Sequence, residues 1–416
     1  MSSQSKAQDA AIIHTASHAI QAKLSTVQHG YYNDPFLQPM ARGIADKSPR
    51  TLIQPIIRRG THARVVAIDR SITSFLNMKL ESKARQLVVL GSGRDTSYLR
   101  YRFGHFQTSS TADYDGEVRW YEVDHSSVIT QKVFDWLPGC IPNGCELKRN
   151  AAVHHSDHYE ATESYVLSIV CDKIHDNSKD NSSPIQQQSS YHLIGHDLRH
   201  PPSHLFHLLS HPQHGYNPSI PTLFIMECVF MYLPERSTRE LLQYISHITV
   251  CSSSSSSSGC NKEAFAAVVL YDPILNNDRF GNVMLYNLQK AGIILPKRQK
   301  ENEDDDDEDG SRLSLEATAT LSCQLSKFIE CNYQKVVVSD MLSAYNNGVV
   351  QSQDVIKATQ CEMLDELEEF ELLMRHYCFC VAVAAIGDDS VGYGMVEVGA
   401  DSVMGFQDGH CITNSG

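Results

Sequence analysis

Residues 88–101 read VVLGSGRDTSYLRY: a short apolar strand, a glycine turn and a helix start. A glycine directly after a strand lets the backbone approach a ligand closely, and open α/β sheets bind ligands at the carboxyl ends of their strands. A dinucleotide fingerprint needs a third glycine where this chain has Arg94, Asp95 and Thr96, so a hydride-transfer site is weakened. Taken alone, GSG reads equally well as an ordinary tight turn.

Outward from the turn, short apolar runs alternate with helical patterns. QLVVLG (86–91), VRWYEV (118–123), YHLIG (191–195), PTLFIME (221–227), AFAAVVLY (264–271) and YCFCVAVAAI (377–386) read as buried strands. SSVITQKVFDWL (126–137), PERSTRELLQYISHI (234–248), DRFGNVMLYNLQKAG (278–292) and EMLDELEEFELLMRH (362–376) read as helices, the last with an apolar stripe suited to core. This alternation predicts an α/β fold: a doubly wound, mostly parallel sheet with helices on both faces.

The chain has 416 residues and a formal net charge of −14, of which eight acids lie in ENEDDDDED (301–309), leaving −14 + 8 = −6 elsewhere. An acidic body argues against nucleic acid as the main partner, because phosphate neutralisation needs clustered Lys and Arg. No run of about 18 apolar residues is present, so no membrane span is expected. The N-terminus lacks a signal pattern, and the twelve cysteines form no CxxC pair. Reduced thiols and a soluble, intracellular protein are expected. One domain is expected over 21–385, after a disordered segment 1–20 and before a flexible tail 386–416. Polar insertions are expected near 176–190, 251–260 and 298–311.

The second strand ends in Glu122 and Asp124, about thirty residues after the glycines. An acid there accepts hydrogen bonds from ribose hydroxyls and disfavours phosphate. With no G-x-x-x-x-G-K-[ST], a nucleoside without phosphate fits best, and S-adenosylmethionine is the common one. Asp197, after the third strand, suits the adenine amine with Leu198 against the ring, or equally caps the next helix. Glu227 is an acid in an apolar run, which implies an internal ion pair or a cationic ligand such as a sulfonium. His154 and His158 are spaced as a metal pair if helical, but no third ligand is evident, and a surface or packing role is expected. His200, His204, His207, His211 and His214 read as a solvated helix and loop.

Eight blocks then occur in order: YYNDPFLQP, IIRRGTHARV, VVLGSGRDTSYLR, WYEVD, IGHDLR, PTLFIMECVFMYL, NDRFGNVMLYNL and LLMRHYCFC. Together they resemble the leucine carboxyl methyltransferase family over about residues 20–385. The resemblance implies a seven-stranded class I S-adenosylmethionine-dependent methyltransferase sheet with helical additions. It also implies methyl-ester formation on the C-terminal leucine of type-2A protein phosphatase catalytic subunits. It assigns donor binding to Lys23, Arg64, Gly91, Asp124, Asp197, Leu198 and Glu227, and substrate positioning to Arg64 and Tyr232. A monomer in the cytoplasm, and also the nucleus, is expected, with no metal.

Two positions depart from the family pattern. Tyr271–Asp272–Pro273 stands where a Tyr-Glu pair is usual, and Tyr32 stands where tryptophan is frequent. The rival readings are a small-molecule O-methyltransferase, a wybutosine carboxyl methyltransferase acting on tRNA, and a scaffold that only binds the phosphatase. The acidic body and the absence of a long repeat region disfavour tRNA. A scaffold has no need of a donor pocket.

Overall fold

The computed structural model describes residues 17–43, 53–106, 114, 116–156, 161–171, 189–254, 264–293, 313–346 and 348–385. Its strands are β1 (Ala84–Leu90), β2 (Glu117–Asp124), β3 (Cys145–Ser156), β4 (Ala161–Cys171), β5 (Ser189–Gly195), β6 (Thr222–Glu227), β7 (Phe265–Pro273), β8 (Lys335–Asp340) and β9 (Tyr377–Ala385). They form one sheet in the order β3-β4-β5-β2-β1-β6-β7-β9-β8. β5, β2, β1, β6 and β7 are parallel, while β9 runs antiparallel to both its neighbours.

The expected doubly wound α/β arrangement is present, but the strand count is corrected from seven to nine. The two additional strands, β3 and β4, form an antiparallel hairpin that enters between β2 and β5 in sequence and pairs with the outer edge of β5. CELKRNAAVHHS mixes charge, amide and imidazole and so carries no clean period-two signal. His154 therefore lies in a strand rather than a helix, and His158 lies outside the described residues. Cys145 and Cys171 are register partners in this hairpin and are joined by a disulfide, which corrects the expectation of thiols only.

Central strands are buried on both faces, and this is why they read as unbroken apolar runs. Along β1 the alternation is visible in the packing: Leu87 and Val89 join one core cluster, Val88 and Leu90 the other. The first cluster includes the helix Pro55–Leu76, and the second the helices Pro202–Leu209 and Glu235–Ser254. The long helix expected over 362–376 is shorter, Leu367–Arg375, and Ser352–Cys361 is a separate helix before it.

Ion pairs fasten the N-terminal blocks onto this frame. The Tyr31 hydroxyl donates to Glu362 Oε1 at 2.7 Å, and Arg58 Nε donates to the same atom at 2.7 Å. Arg100 is buried between Asp69 and Asp34, and Asp34 Oδ2 accepts from Thr96 Oγ1 at 2.6 Å. The NDP turn is thereby tied to the end of the glycine loop.

Residues 17–28 are already helical, so the expected disordered segment 1–20 is corrected from residue 17 onward. The serine run begins inside a helix that extends to Ser254. The insertion at 298–311, the tail 386–416 and most of 176–190 lie outside the described residues. No helix among those described is long and apolar enough to cross a membrane.

Candidate active site

One pocket opens at the carboxyl ends of β1, β2, β5 and β6. The eight residues that the family resemblance assigns line it: Lys23, Arg64, Gly91, Asp124, Asp197, Leu198, Glu227 and Tyr232.

The glycine loop is built by close approach. Gly91 has φ +67° and Gly93 φ +47°. A Cβ on Gly91 would sit 2.5 Å from Val229 Cγ2, so the loop lies against the end of β6 only because that atom is missing. Val123 O accepts from the N–H groups of Gly91 at 2.8 Å and Ser92 at 3.2 Å. Asp124 fixes the rest of the loop: Oδ2 accepts from Gly93 N–H at 2.6 Å and Oδ1 from His125 N–H at 2.7 Å. Burial raises the Asp124 carboxyl above its ordinary range, and these two N–H donors oppose that rise.

Glu122, the other acid of WYEVD, does not line the pocket. It lies one step deeper on the same face of β2, fully buried and ion-paired with Lys132, and it accepts from the Tyr191 hydroxyl at 2.8 Å. Burial pushes it up to about 7, against the pull of Lys132.

Asp197 is not a helix cap. It makes a turn in which Oδ1 accepts from Arg199 N–H at 2.9 Å, while Arg199 Nη2 donates to Oδ2 at 2.6 Å. Burial works to raise this carboxyl, but Arg199 outweighs it and holds it below its ordinary range. The following helix begins only at Pro202.

Glu227 anchors the other end of the pocket. Lys23 Nζ is 3.0 Å from its Oε1, and Arg64 Nε is 2.8 Å from the same atom. Burial would raise Glu227, but Lys23 and Arg64 together keep it ionised. Arg64 also stands 5.5 Å over the Tyr271 ring. Beyond Glu227 the chain turns sharply through Cys228, a non-glycine residue at φ +55°, into a short turn Phe230–Tyr232 that brings Tyr232 to the wall. The Cys228 thiol is pushed up to about 12 by burial, so it is protonated and a poor nucleophile at neutral pH. Asp272, the shorter acid of the Tyr-Asp-Pro departure, is absent from the pocket wall; burial pushes it up to about 8 beneath Val229 and Met231.

Sequence reasoning missed Arg94, Asp95 and Arg199, which also line the pocket. Arg94 and Asp95 stand in the glycine motif itself, where they served only to argue against a dinucleotide. Asp95 Oδ1 accepts from Ser97 N–H at 3.0 Å and Ser97 Oγ at 2.8 Å. Arg94 donates to the carbonyls of Met40 and Arg42 and lies 3.7 Å over the Trp136 ring. The wall thus sets four cations, Lys23, Arg64, Arg94 and Arg199, against four acids, Asp95, Asp124, Asp197 and Glu227. It suits a ligand with charge at one end and an apolar ring at the other.

The histidine cluster splits. His204 and His207 lie on the helix Pro202–Leu209, but His214 is buried, which corrects its solvated reading. Its Nε2 is 2.7 Å from Ser164 Oγ and its Nδ1 3.2 Å from His192 Nδ1, so it ties β4 to β5. No group of three or more His, Cys, Asp or Glu among the described residues could hold a metal ion.

The family model described as leucine carboxyl methyltransferase matches residues 11–134 and 163–246. The chain is 29% identical to leucine carboxyl methyltransferase 1 of Caenorhabditis elegans over 381 residues, covering 90% of this chain and 92% of that one. It is 27% identical to the Arabidopsis thaliana homolog over 382 residues, 91% of each chain. With the Schizosaccharomyces pombe protein of the same name it shares 24% over 372 residues, 89% of this chain and 94% of the other.

Proposed function

The chain belongs to the leucine carboxyl methyltransferase family and is a methyltransferase; from that membership we propose a donor, a substrate and an order of roles in the pocket. The donor is S-adenosylmethionine. The acceptor is the α-carboxylate of the C-terminal leucine of type-2A protein phosphatase catalytic subunits, and the product is its methyl ester. The protein acts as a monomer in the cytoplasm and the nucleus.

The observation that carries this reading is the pairing of Lys23 and Arg64 with one carboxylate, Glu227, beside a glycine loop clamped by Asp124. The wall also fits the donor. Its charges balance, so a donor of net charge +1 and an acceptor carboxylate of −1 add no uncompensated charge. Gly91 lets the loop backbone lie against Val229, just beyond β6, and Leu198 supplies an apolar surface for a ring beside Asp197.

S-adenosylmethionine supplies a methyl group on a positively charged sulfur. A peptide α-carboxylate titrates near about 3.5 and is already ionised at neutral pH, so no general base is required. At the charged end the Cys228 thiol is protonated, and Asp124, Asp197 and Glu227 are engaged by donors or cations. The work left to the chain is alignment, which is worth on the order of 7–11 kcal/mol in favourable cases. Arg64 carries a planar fork that orients a carboxylate with two hydrogen bonds. Lys23 can remain on Glu227 while Arg64 turns to the incoming carboxylate, or the reverse, so Glu227 always keeps a partner. Tyr232 stands at the wall to fix the second carboxylate oxygen.

The test is transfer of radiolabelled methyl to a purified type-2A phosphatase catalytic subunit, beside the same subunit lacking its terminal leucine. Label on the intact protein alone supports the reading. Label on neither, with the donor bound, overturns the substrate and favours a small-molecule acceptor.

A further inference from the structure

The helix Ser126–Gln131 does not continue as an α-helix. It widens into one π turn, Lys132–Trp136, and then tightens into a 3-10 turn, Leu137–Cys140. Such single π turns are rare and recur at functional sites. Here both ends of the turn grip the glycine loop. Lys132, fully buried, donates from Nζ to Asp95 O at 2.9 Å and pairs with Glu122. Trp136, 7% exposed, presents its ring 3.7 Å beneath the Arg94 guanidinium. The two loop residues so held are consecutive, and both line the pocket.

A buried lysine is costly unless every donor has a partner. Lys132 finds one in Glu122 and a second in the Asp95 carbonyl. The second contact ties the ammonium to the backbone of the glycine loop itself. Among the described residues Arg94 pairs with no carboxylate, and it is held by two backbone carbonyls and the Trp136 face. Asp124 holds Gly93 from one side, and the π turn holds Arg94 and Asp95 from the other.

We propose that Lys132 and Trp136 are positioning residues: through the π turn they preset the glycine loop for the charged end of the methyl donor. The inference rests on the proposed function for the identity of that ligand, though not for the loop's rigidity. Neither side chain touches the pocket, so their effect is on donor affinity rather than on the transfer step.

The experiment uses the full chain and two variants. Lys132→Met with Glu122→Gln removes the ion pair without stranding a buried charge, and Trp136→Leu removes only the ring. Binding of S-adenosylmethionine is measured by calorimetry, and amide hydrogen exchange is measured without ligand. Loss of one charged hydrogen bond and its ion pair is expected to weaken donor binding about tenfold or more in the double variant. The kcat at saturating donor is expected to stay within about threefold, because uniform binding is what is lost. Exchange at residues 91–96 is expected to quicken by about tenfold, with the sheet unchanged. Unchanged affinity and unchanged loop exchange would overturn the proposal, and so would exchange quickened throughout the chain. If the unaltered chain binds no S-adenosylmethionine, the proposed function fails, and the loop exchange still decides this inference.

Discussion

Arg64 Nε lies 2.8 Å from Glu227 Oε1, joining the helix Pro55–Leu76 to the carboxyl end of β6 across the pocket. Arg64→Ala leaves Glu227 with Lys23 still in place, so the fold survives while the fork is lost. Methyl transfer is expected to fall by about a hundredfold or more, in line with loss of a charged orienting group. Steady-state kcat/KM and a melting curve check this, and unchanged turnover would remove Arg64 from the site.

Gly91→Ala places a methyl 2.5 Å from Val229 at a backbone φ of +67°. Strain of this kind costs on the order of 1–3 kcal/mol and displaces the loop. Weakened donor binding together with a lowered melting temperature is the expected result. A variant that binds and melts like the parent would mean that β6 yields.

The buried histidines set an acid limit. Burial, with His214 and Arg119 nearby, pushes His192 down to about 3; burial pushes His62 and His196 down to about 4. Unfolded, each titrates near about 6.5, so below that pH the unfolded chain binds more protons. Stability is full above about pH 6.5 and declines as pH falls toward these folded values, on the order of 1 kcal/mol per histidine per pH unit. Urea midpoints at pH 7, 6 and 5 read this directly. His192→Gln is expected to flatten the slope; an unaltered slope would clear His192 of responsibility.

Deleting residues 300–310 is expected to leave methyl transfer within about twofold, since long polar insertions cost little to shorten. Abolished transfer with an intact fold would give that acidic run a role in the reaction.

The lining of the pocket was more legible in the sequence than the sheet was. Strand ends carry ligand-facing residues, and glycine and acid types at those ends survive as readable signals. Gly91, Asp124, Asp197, Leu198 and Glu227 lie at or just after strand ends. Lys23 and Arg64 come from helices and Tyr232 from a short turn, and all eight line one pocket. What stayed hidden needed partners distant in the chain. Asp197 could not be separated from a cap until Arg199 was seen to take both its oxygens. Glu122 and Asp124 looked interchangeable, and only the buried Lys132 tells the loop clamp from the deeper ion pair. β3 escaped because CELKRNAAVHHS shows no clean alternation, whereas β4 buries Tyr165, Leu167 and Ile169 on one face, an alternating signal that sequence reasoning passed over.

That hairpin also decides what the sheet offers to other chains. An edge strand of twelve residues has enough unpaired backbone to recruit a foreign strand. β3 carries on this edge Glu146 and Lys148, 3.5 Å apart, with side chains 72% and 49% exposed. A neighbouring strand would have to dehydrate both. At the opposite margin β8 is only six residues long and opens with Lys335. The longer margin of the described sheet thereby carries exposed charge, and fibre growth along it is disfavoured by the same charges that hid the strand from view.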